Sequence, residues 1–381
     1  MAKTGTPTEL GTQPIGKLLL QYAIPAIIAM TASSLYNMVD SIFIGHGVGP
    51  LAISGLAITF PLMNLAAAFG SLVGVGASTL VSVKLGQKDY ATAQNILGNV
   101  VTLNFIIGIG FSILTLLFLD PILYFFGASP DTISYARDYM VIILLGNVIT
   151  HMYLGLNALL RASGHPQKAM TATITTVIIN TILDPIFIYL FHWGIQGAAI
   201  ATMLSQVVGG LLPVFYFLNR KNTSLLHLSR PQFEGGVLLK ACVNGSSELM
   251  TNLSMSLVNI LYNYQLLRFA GEDGVAAYGV IMYASFLFVA VFVGYAVGSA
   301  PIVSYHYGAN NRKEVNNLYR KSLKLIGVVA VVMTIGSMFI IPHVARFFVG
   351  YDENLLILTT RAFRLYGLSF LIMGFNVYAS S

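Results

Sequence analysis

The sequence has few charged residues and almost no cysteine. Asp, Glu, Lys and Arg make up 9% of its 381 residues, and hydrophobic residues make up 56%. A soluble domain has about 25% charged residues, so the composition excludes an ordinary soluble globular protein. Cys242 is the only cysteine, which excludes an intrachain disulfide and a cysteine-rich metal site. Residues 1–17 lack a short apolar core with a cleavage site, so we expect a cytoplasmic tail and not a signal peptide.

Long apolar segments are what the chain has instead. About ten of them are long enough to supply the ~20 residues that an α-helix needs to cross a bilayer. They run approximately over 16–44, 51–82, 94–119, 135–159, 168–191, 195–219, 238–267, 275–304, 318–345 and 356–381. The sequence therefore predicts an all-α integral membrane protein.

The placement of basic residues predicts how the chain is oriented. With the N-terminus in the cytoplasm, most of the 20 Lys and Arg residues fall on the inner side, as the positive-inside rule requires. This distribution explains the net charge of +6, and no soluble basic domain is present to bind nucleic acid. We therefore expect the lipid bilayer, and no nucleic acid, as a partner.

Asp184 is the most unusual residue, because it lies within the apolar run 175–191. A carboxylate in such a segment is costly and indicates a functional site that faces a protein-lined cavity. Asn180 lies one helical turn earlier on the same face, and Pro185 leaves the carbonyl of Thr181 without its usual helical partner. These groups can hold a proton or a small hard cation. The alternative is a structural aspartate paired with a neighbouring helix.

The first span contains a second polar stripe. Ser33, Tyr36, Asn37 and Asp40 fall at helical spacings on one side, so Asp40 is a second carboxylate in or near the membrane. Pro25 should bend this helix about four turns earlier. The pattern indicates a moving part, or else a static kink with Asp40 reaching the outer interface.

A longer stripe follows one face of the seventh span. Asn244, Glu248, Asn252, Asn259 and Asn263 recur at intervals of four, four, seven and four. Such a stripe should face a cavity or another helix and not lipid. Glu248 could instead extend to the interface.

Two more polar residues carry weaker signals. Thr202 lies on a small-residue face of the sixth span, from which its hydroxyl can reach the fifth span. His151 in the fourth span could be a proton relay, or its ring could be satisfied by packing or by a neighbouring carbonyl.

The chain also repeats itself at an offset of 222 to 224 residues. The matching pairs are Gly70 and Gly294, Gly74 and Gly298, Val81 and Val303, Ser82 and Ser304, and Gly86 and Gly308. Six spans precede the repeat, so the copies should share one orientation and be related by an axis along the membrane normal. We predict an N-lobe over 1–219, a cytoplasmic linker over 220–237 and a C-lobe over 238–381. The second copy has four spans against six, so we expect the natural gene product to continue for about 60 residues.

These motifs resemble the multidrug and toxic compound extrusion (MATE) family, most closely its bacterial branch with aspartates in the N-lobe. The matching stretches are IPAIIAM, SSLYNMVD, GVGASTLVSVKLGQKD, NALLRASGHPQKAM, INTILDPIFIY, GAAIATMLSQ, IVSYHYGANNRKEV and RLYGLSFLIMGFNV. The resemblance covers nearly the whole chain. It implies a V-shaped transporter of two six-helix lobes in parallel orientation, with the second lobe incomplete here.

The resemblance also implies roles for individual residues. A site for the coupling cation, H⁺ or Na⁺, would be formed by Asp40, Asn180, Asp184 and Thr202. Residues lining a substrate cavity would be Tyr36, Asn37 and Asn157, to which the stripe of the seventh span adds Glu248 and Asn252. Pro25 would be the bending point.

Three candidate functions follow from these residues and from the resemblance. The first is secondary active efflux, in which H⁺ or Na⁺ is exchanged for amphipathic, often cationic compounds, by a monomer without cofactors in the inner membrane of a bacterium. The second is a flippase for lipid-linked sugars, whose cavity would need cationic side chains for a pyrophosphate. The third is a membrane-embedded enzyme, which the absence of HExxH, cysteine-ligand and serine-elbow motifs disfavours.

Overall fold

The structure, a computed structural model, describes residues 7–219, 225–228, 232–350 and 353–380. These residues form helices and no strands, which confirms the predicted all-α fold. The helices are α1 Pro7–Thr12, α2 Ile15–Gly47, α3 Pro50–Gly86, α4 Tyr90–Leu117, α5 Leu119–Phe125, α6 Ile133–Ala162, α7 Pro166–Pro185, a π-helical turn Ile186–Leu190, α8 Gly194–Leu218, α9 Gly235–Gly308, α10 Arg312–Val349, α11 Glu353–Gly367 and α12 Phe370–Ser380.

Eight helices in the described part of the chain are long and apolar enough to cross a membrane, and the bent pair of α11 and α12 would make nine. The chain is thus a multi-pass membrane protein, with fewer such spans than the ten predicted. The segment 238–267 is helical but is not among the eight, because the polar residues of its stripe lower its mean hydropathy. The predicted span 356–381 is divided by a 51° bend between Gly367 and Phe370.

Helix α9 consists of two arms that meet at Gly271. The φ of Gly271 is 66° and its ψ is −158°, a backbone conformation that only glycine adopts readily. The first arm, 235–270, corresponds to the predicted seventh span. The second arm, 272–308, contains the predicted eighth span. A glycine break, with no loop, therefore separates these two predicted spans.

The two halves of the chain contact each other through α2 and α3 on one side and α9 on the other. A Cβ atom at Gly86 would lie 2.1 Å from the carbonyl oxygen of Tyr305, and one at Gly308 would lie 2.1 Å from that of Val83. These contacts are reciprocal, as a twofold axis between duplicated halves would make them. We call this end of the molecule, where α2 begins and α3 and α9 end, the closed end.

Two helix caps repeat at the same spacing as the glycines. Asp89 precedes α4, and its carboxylate accepts a hydrogen bond from the backbone N–H of Thr92 at 3.2 Å. Asn311 precedes α10 and accepts from the N–H of Glu314 at 3.3 Å. The caps are 222 residues apart, since 311 − 89 = 222. Both satisfy a backbone donor that a helix start leaves free.

The described part of the predicted linker 220–237 is bound to α4. The side-chain oxygen of Asn95 accepts from the N–H of Gln232 at 2.9 Å, and Asn99 donates to the carbonyl of Gln232 at 2.9 Å. Asn95 also donates to Glu234 at 2.7 Å. The basic residues Arg220, Lys221 and Arg230 of the predicted linker lie outside the described residues.

Candidate functional site

The four residues predicted to bind a cation come together where α2, α7 and α8 meet. Asp40 belongs to α2, Asn180 and Asp184 to α7, and Thr202 to α8. Their side chains are 6%, 0%, 0% and 1% exposed, respectively. Their roles as cation ligands stay predictions, but the four side chains lie as close together as a shared cation site requires.

Hydrogen bonds tie the site together. The Nδ2 atom of Asn180 donates to Oδ1 of Asp184 and to Oγ1 of Thr202, both at 3.3 Å. The hydroxyls of Tyr36 and Thr202 lie 3.3 Å apart. The carboxyl groups of Asp40 and Asp184 are within hydrogen-bonding range of each other. Two carboxylates make such a bond only when one of them carries a proton.

Several buried oxygen atoms of the site have no hydrogen-bond partner. They are Oδ1 of Asp40, Oδ1 of Asn180 and Oδ2 of Asp184. Buried polar atoms are nearly always satisfied, so this group calls for an occupant. Small hard cations prefer carboxylate and carbonyl oxygens, and a proton would satisfy a carboxylate directly. The donor set therefore fits both Na⁺ and H⁺.

The backbone is irregular immediately after Asp184. α7 ends at Pro185, which has no N–H to donate. The π-helical turn Ile186–Leu190 follows, and the N–H of Phe191 bonds to the carbonyl of Ile186 at 3.0 Å. Such turns occur often at functional sites. The expected irregularity at Pro185 is thus present as a wider helical turn that begins beside the carboxylate.

Tyr139 joins the site without having been predicted. It is 1% exposed, and its hydroxyl bonds to the side chain of Thr202 close to Asp40 and Tyr36. A tyrosine near a helix end is ordinarily assigned to the membrane interface, so no sequence pattern selects Tyr139. It places a second phenol hydroxyl at the carboxylate pair.

Residues predicted to line a substrate cavity are dispersed. Asn37 is exposed and takes no part in the hydrogen bonds of the cation site. Asn157 is buried between α6 and α7, where it donates to the carbonyl of Ala169 at 3.0 Å. Asn252 donates to the carbonyl of Glu248 at 2.9 Å and to its carboxylate at 3.4 Å. Both residues of this pair are half-buried, and their cavity role stays a prediction.

The face of α9 that carries Glu248 and Asn252 is the one that packs on α3 nearer the closed end. A Cβ atom at Gly245 would lie 1.7 Å from the carbonyl oxygen of Leu72, and positions 245, 248 and 252 share one helical face. The side chains of Asn259 and Asn263, predicted for the same stripe, lie outside the described residues.

A large cavity lies elsewhere in the second half, between the two arms of α9 and helices α11 and α12. Its volume is about 970 Å³. Four methionines and three tyrosines line part of its wall, including Met250, Tyr262 and Tyr366, and no charged side chain occurs among the described lining residues. Glu248 and Asn252 are not among them. The cavity thus suits apolar or aromatic groups.

One ring nitrogen of His151 contacts a backbone carbonyl while Nδ1 is buried without a hydrogen-bond partner, and Pro25 lies inside a continuous helix. The Nε2 atom of His151 lies 2.9 Å from the carbonyl oxygen of Ala66, and the residue is fully buried. This contact matches the alternative in which a neighbouring carbonyl satisfies the ring. Pro25 is buried within α2, which continues from Ile15 to Gly47.

Many apolar helices around a buried carboxylate pair define a membrane protein of the transporter class. The family model described as MatE matches residues 25–186 and 249–381. The chain therefore belongs to the MATE family, whose members are transporters and not enzymes.

Individual relatives agree with this assignment. "Multidrug export protein MepA" of Staphylococcus haemolyticus (strain JCSC1435) is 25% identical over 360 residues, which cover 94% of this chain and 79% of the relative. The protein of the same name in Staphylococcus aureus (strain N315) is 26% identical over 349 residues, covering 92% and 75%. The solved structure "Crystal structure of MATE in complex with MaL6" superposes with a TM-score of 0.92 at 25% identity, covering 98% of this chain and 84% of that chain.

Proposed function

We propose that this protein is a secondary active multidrug efflux antiporter. It exchanges H⁺ or Na⁺ for amphipathic, often cationic compounds by alternating access, as a monomer in the inner membrane of a bacterium with its N-terminus in the cytoplasm. The observation that carries the proposal is the buried pair of Asp40 and Asp184, with three unpartnered oxygens directed into one site.

The chemistry of this pair favours exchange over passive binding. A buried pair of carboxylates is stable when a proton or a cation neutralises it, and it is strongly destabilised when both groups are charged. Loss of the cation therefore has to be accompanied by rearrangement of α2 against α7. A site with this property can drive a change in shape with each binding and release event.

The substrate class rests on the relatives and on the lining of the second half. The relatives are named as multidrug export proteins. The uncharged cavity of about 970 Å³ with methionine and tyrosine walls has the adaptable surface of a promiscuous site. We assign the charge recognition of cationic compounds to Glu248, whose half-buried carboxylate lies on the first arm of α9 but outside the described lining of this cavity.

The test is transport by purified protein in lipid vesicles with an imposed H⁺ or Na⁺ gradient. Wild-type protein should move a fluorescent cationic dye against its concentration gradient only when one of the two ion gradients is present. Asp184→Asn should abolish this coupled movement, because it removes a cation ligand and leaves the packing intact. The matched control is Asp138→Asn, which removes a partly exposed carboxylate of α6 that accepts a hydrogen bond from Gln196 at 3.0 Å. Gradient-driven transport by Asp184→Asn at the wild-type rate would refute the proposal.

A further inference from the structure

Beyond the cation site, polar side chains continue along α7 toward the closed end. Thr173, Thr176, Asn180 and Asp184 follow one another at spacings of three, four and four, which place them on one face of the helix. Asn180 and Asp184 are fully buried and Thr173 is 9% exposed. The face therefore forms a column of hydroxyl and amide groups inside the first half of the protein.

Helix α6 supplies the next polar groups of this column. The hydroxyl of Tyr153 donates to Oγ1 of Thr173 at 3.0 Å and also bonds to Thr176. Asn157, one turn further along α6, lies 3.4 Å from the same Thr173 oxygen. We call the set Asp184, Asn180, Thr176, Thr173, Tyr153 and Asn157 the polar column.

The space beside the polar column depends on a glycine of α8. A Cβ atom at Gly209 would lie 1.8 Å from Oγ1 of Thr176 and 3.3 Å from the ring of Tyr153. Only a residue without a side chain leaves these two hydroxyls in their positions. The column is thus a built feature of three packed helices.

Arg161 ends the polar column at the closed end. It lies four residues after Asn157 on α6, and its guanidinium donates to Oδ1 of that residue. The side chain is half-buried, and Tyr153 is the titratable group that acts on its charge. The ion pairs found among the described residues join Lys84 to Asp89 and Arg137 to Asp120, so no described carboxylate neutralises Arg161.

An unneutralised, partly buried cation is costly to keep in a protein. It does not pair with the cation site, because Thr173 and Asp184 alone are 11 residues apart, or about 16 Å along the helix axis. At that distance the guanidinium makes no contact with the carboxylates, and its charge acts most strongly on the mouth of the column. Fixed positive charges in membrane pores are known to exclude cations.

We propose that Arg161 is an electrostatic barrier that closes the polar column to H⁺ and Na⁺ at the closed end, so that cations reach Asp40 and Asp184 only from the opposite side while the closed end is shut. The inference rests on the proposed function, because a leak matters only to a cation-coupled protein. Arg161 would thus prevent uncoupled ion flow through its charge, without binding substrate.

The experiment measures ion leak into vesicles that contain the purified full chain and no transport substrate. A pH-sensitive or Na⁺-sensitive dye inside the vesicles reports entry under an imposed gradient. At an effective dielectric constant of about 20, the charge of Arg161 alters the occupancy of a cation about 12 Å away, inside the mouth of the column, about tenfold. Arg161→Gln should therefore increase the leak about tenfold. Arg161→Lys, which keeps the charge, should leak like the wild type.

Two further variants separate charge from structure. Asn157→Asp places a carboxylate beside the guanidinium and neutralises it without removing it, so it should leak like Arg161→Gln. Lys168→Gln removes an exposed cation from α7 at the same end, and its leak should match that of the wild type. Adding Asp184→Asn to Arg161→Gln should suppress the leak, because the carboxylate that attracts the cation is gone.

The outcomes distinguish the two proposals. Coupled dye transport by the wild type, with equal leak in Arg161→Gln, Asn157→Asp and the wild type, would overturn the barrier while leaving the antiporter intact. Equal leak in Arg161→Lys and Arg161→Gln would also overturn it, since packing and not charge would then close the column. Absence of ion-dependent dye transport by the wild type would instead refute the proposed function.

Discussion

Gly308→Ala should force the two halves of the protein apart at the closed end. The added methyl group would lie 2.1 Å from the carbonyl oxygen of Val83 and 2.8 Å from its carbonyl carbon. An ordinary contact begins at 3.4 Å, so relief needs a displacement of about 1.3 Å, since 3.4 − 2.1 = 1.3. The opposing atoms are backbone and cannot rotate away. The displacement therefore has to separate α9 from α3.

The magnitude follows from the general cost of overpacking. Inserting a methyl group into a close-packed contact costs about 1–3 kcal/mol. If that cost falls only on the arrangement in which the closed end is shut, the ratio of open to shut molecules rises by a factor of about 5–150. Gly86→Ala should act in the same way, because its methyl group meets the carbonyl oxygen of Tyr305 at 2.1 Å.

The native Cys242 provides the assay. It is half-buried and follows Ala241, whose carbonyl oxygen lies 1.9 Å from a Cβ atom placed at Gly76. Its rate of modification by a water-soluble maleimide should report opening of the closed end and should rise about fivefold or more in Gly308→Ala.

The control for this experiment is Gly336→Ala in α10. A Cβ atom there would have no neighbour within 4 Å, so the labelling rate should not change. The double variant Gly86→Ala with Gly308→Ala should be less than additive, because one displacement relieves both overlaps. Wild-type labelling rates in both single variants would show that the reciprocal contact does not hold the closed end shut.

Three other predictions concern the cation site, the proline of α2 and a helix cap. Asp40→Asn should lose coupled transport as Asp184→Asn does. The double variant should be no worse than either single variant, since the two carboxylates act as a unit. Additive losses in vesicle transport would contradict this. Pro25→Ala should lower the transport rate more than the substrate affinity, because it removes a hinge and no ligand; equal losses in rate and in equilibrium binding would favour a purely structural role. Hydrogen bonds from Thr92 and Lys84 hold the pKa of Asp89 below its ordinary value, so the stabilisation it gives is complete above its unfolded pKa of about 3.9 and declines as the pH falls through the folded pKa. Asp89→Ala should thus lower the Tm in detergent at pH 7, and it should lower it less below about pH 4. Asp89→Asn should keep the cap. Equal Tm values at pH 7 for the wild type, Asp89→Ala and Asp89→Asn would refute the role of the cap.

The cation site shows which of its members the sequence could reveal. Asp184 and Asn180 were predictable from the residues alone, because a carboxylate in an apolar helix is costly and a spacing of four places both on one face. The position of Thr202 beside the fifth span was predictable from its small-residue face, but its role in a cation site came only from the family resemblance, since a threonine in a membrane helix has no cost that would mark it. Tyr139 was missed because its contact with Thr202 depends on how α6 packs on α8.

Other differences arise because patterns along one helix do not specify contacts between helices. The polarity of Asn157 does not reveal that its amide is bonded to the carbonyl of Ala169 on the neighbouring helix, and its cavity role stays a prediction. Ten spans are predicted and eight helices meet the length and hydropathy of a span among the described residues, and this difference has a related cause. A polar stripe with a protein partner can lie in a helix whose mean hydropathy does not identify it as a span, as in the first arm of α9.

The position of α2 explains how cation binding could reach the contact between the halves. Asp40, toward one end of this helix, meets Asp184 of α7. Toward the other end, Ile27 and Ala23 pack against Gly294 and Gly298 of α9, where added Cβ atoms would lie 2.5 and 2.7 Å from their Cα atoms. Pro25 lies between Ala23 and Ile27, inside this contact with α9, and leaves the carbonyl four residues earlier without a helical donor. A movement that the carboxylate pair imposes on α2 therefore reaches Gly294 directly through Ile27, and it reaches Gly298 through Ala23 only across Pro25, where the helix bends easily.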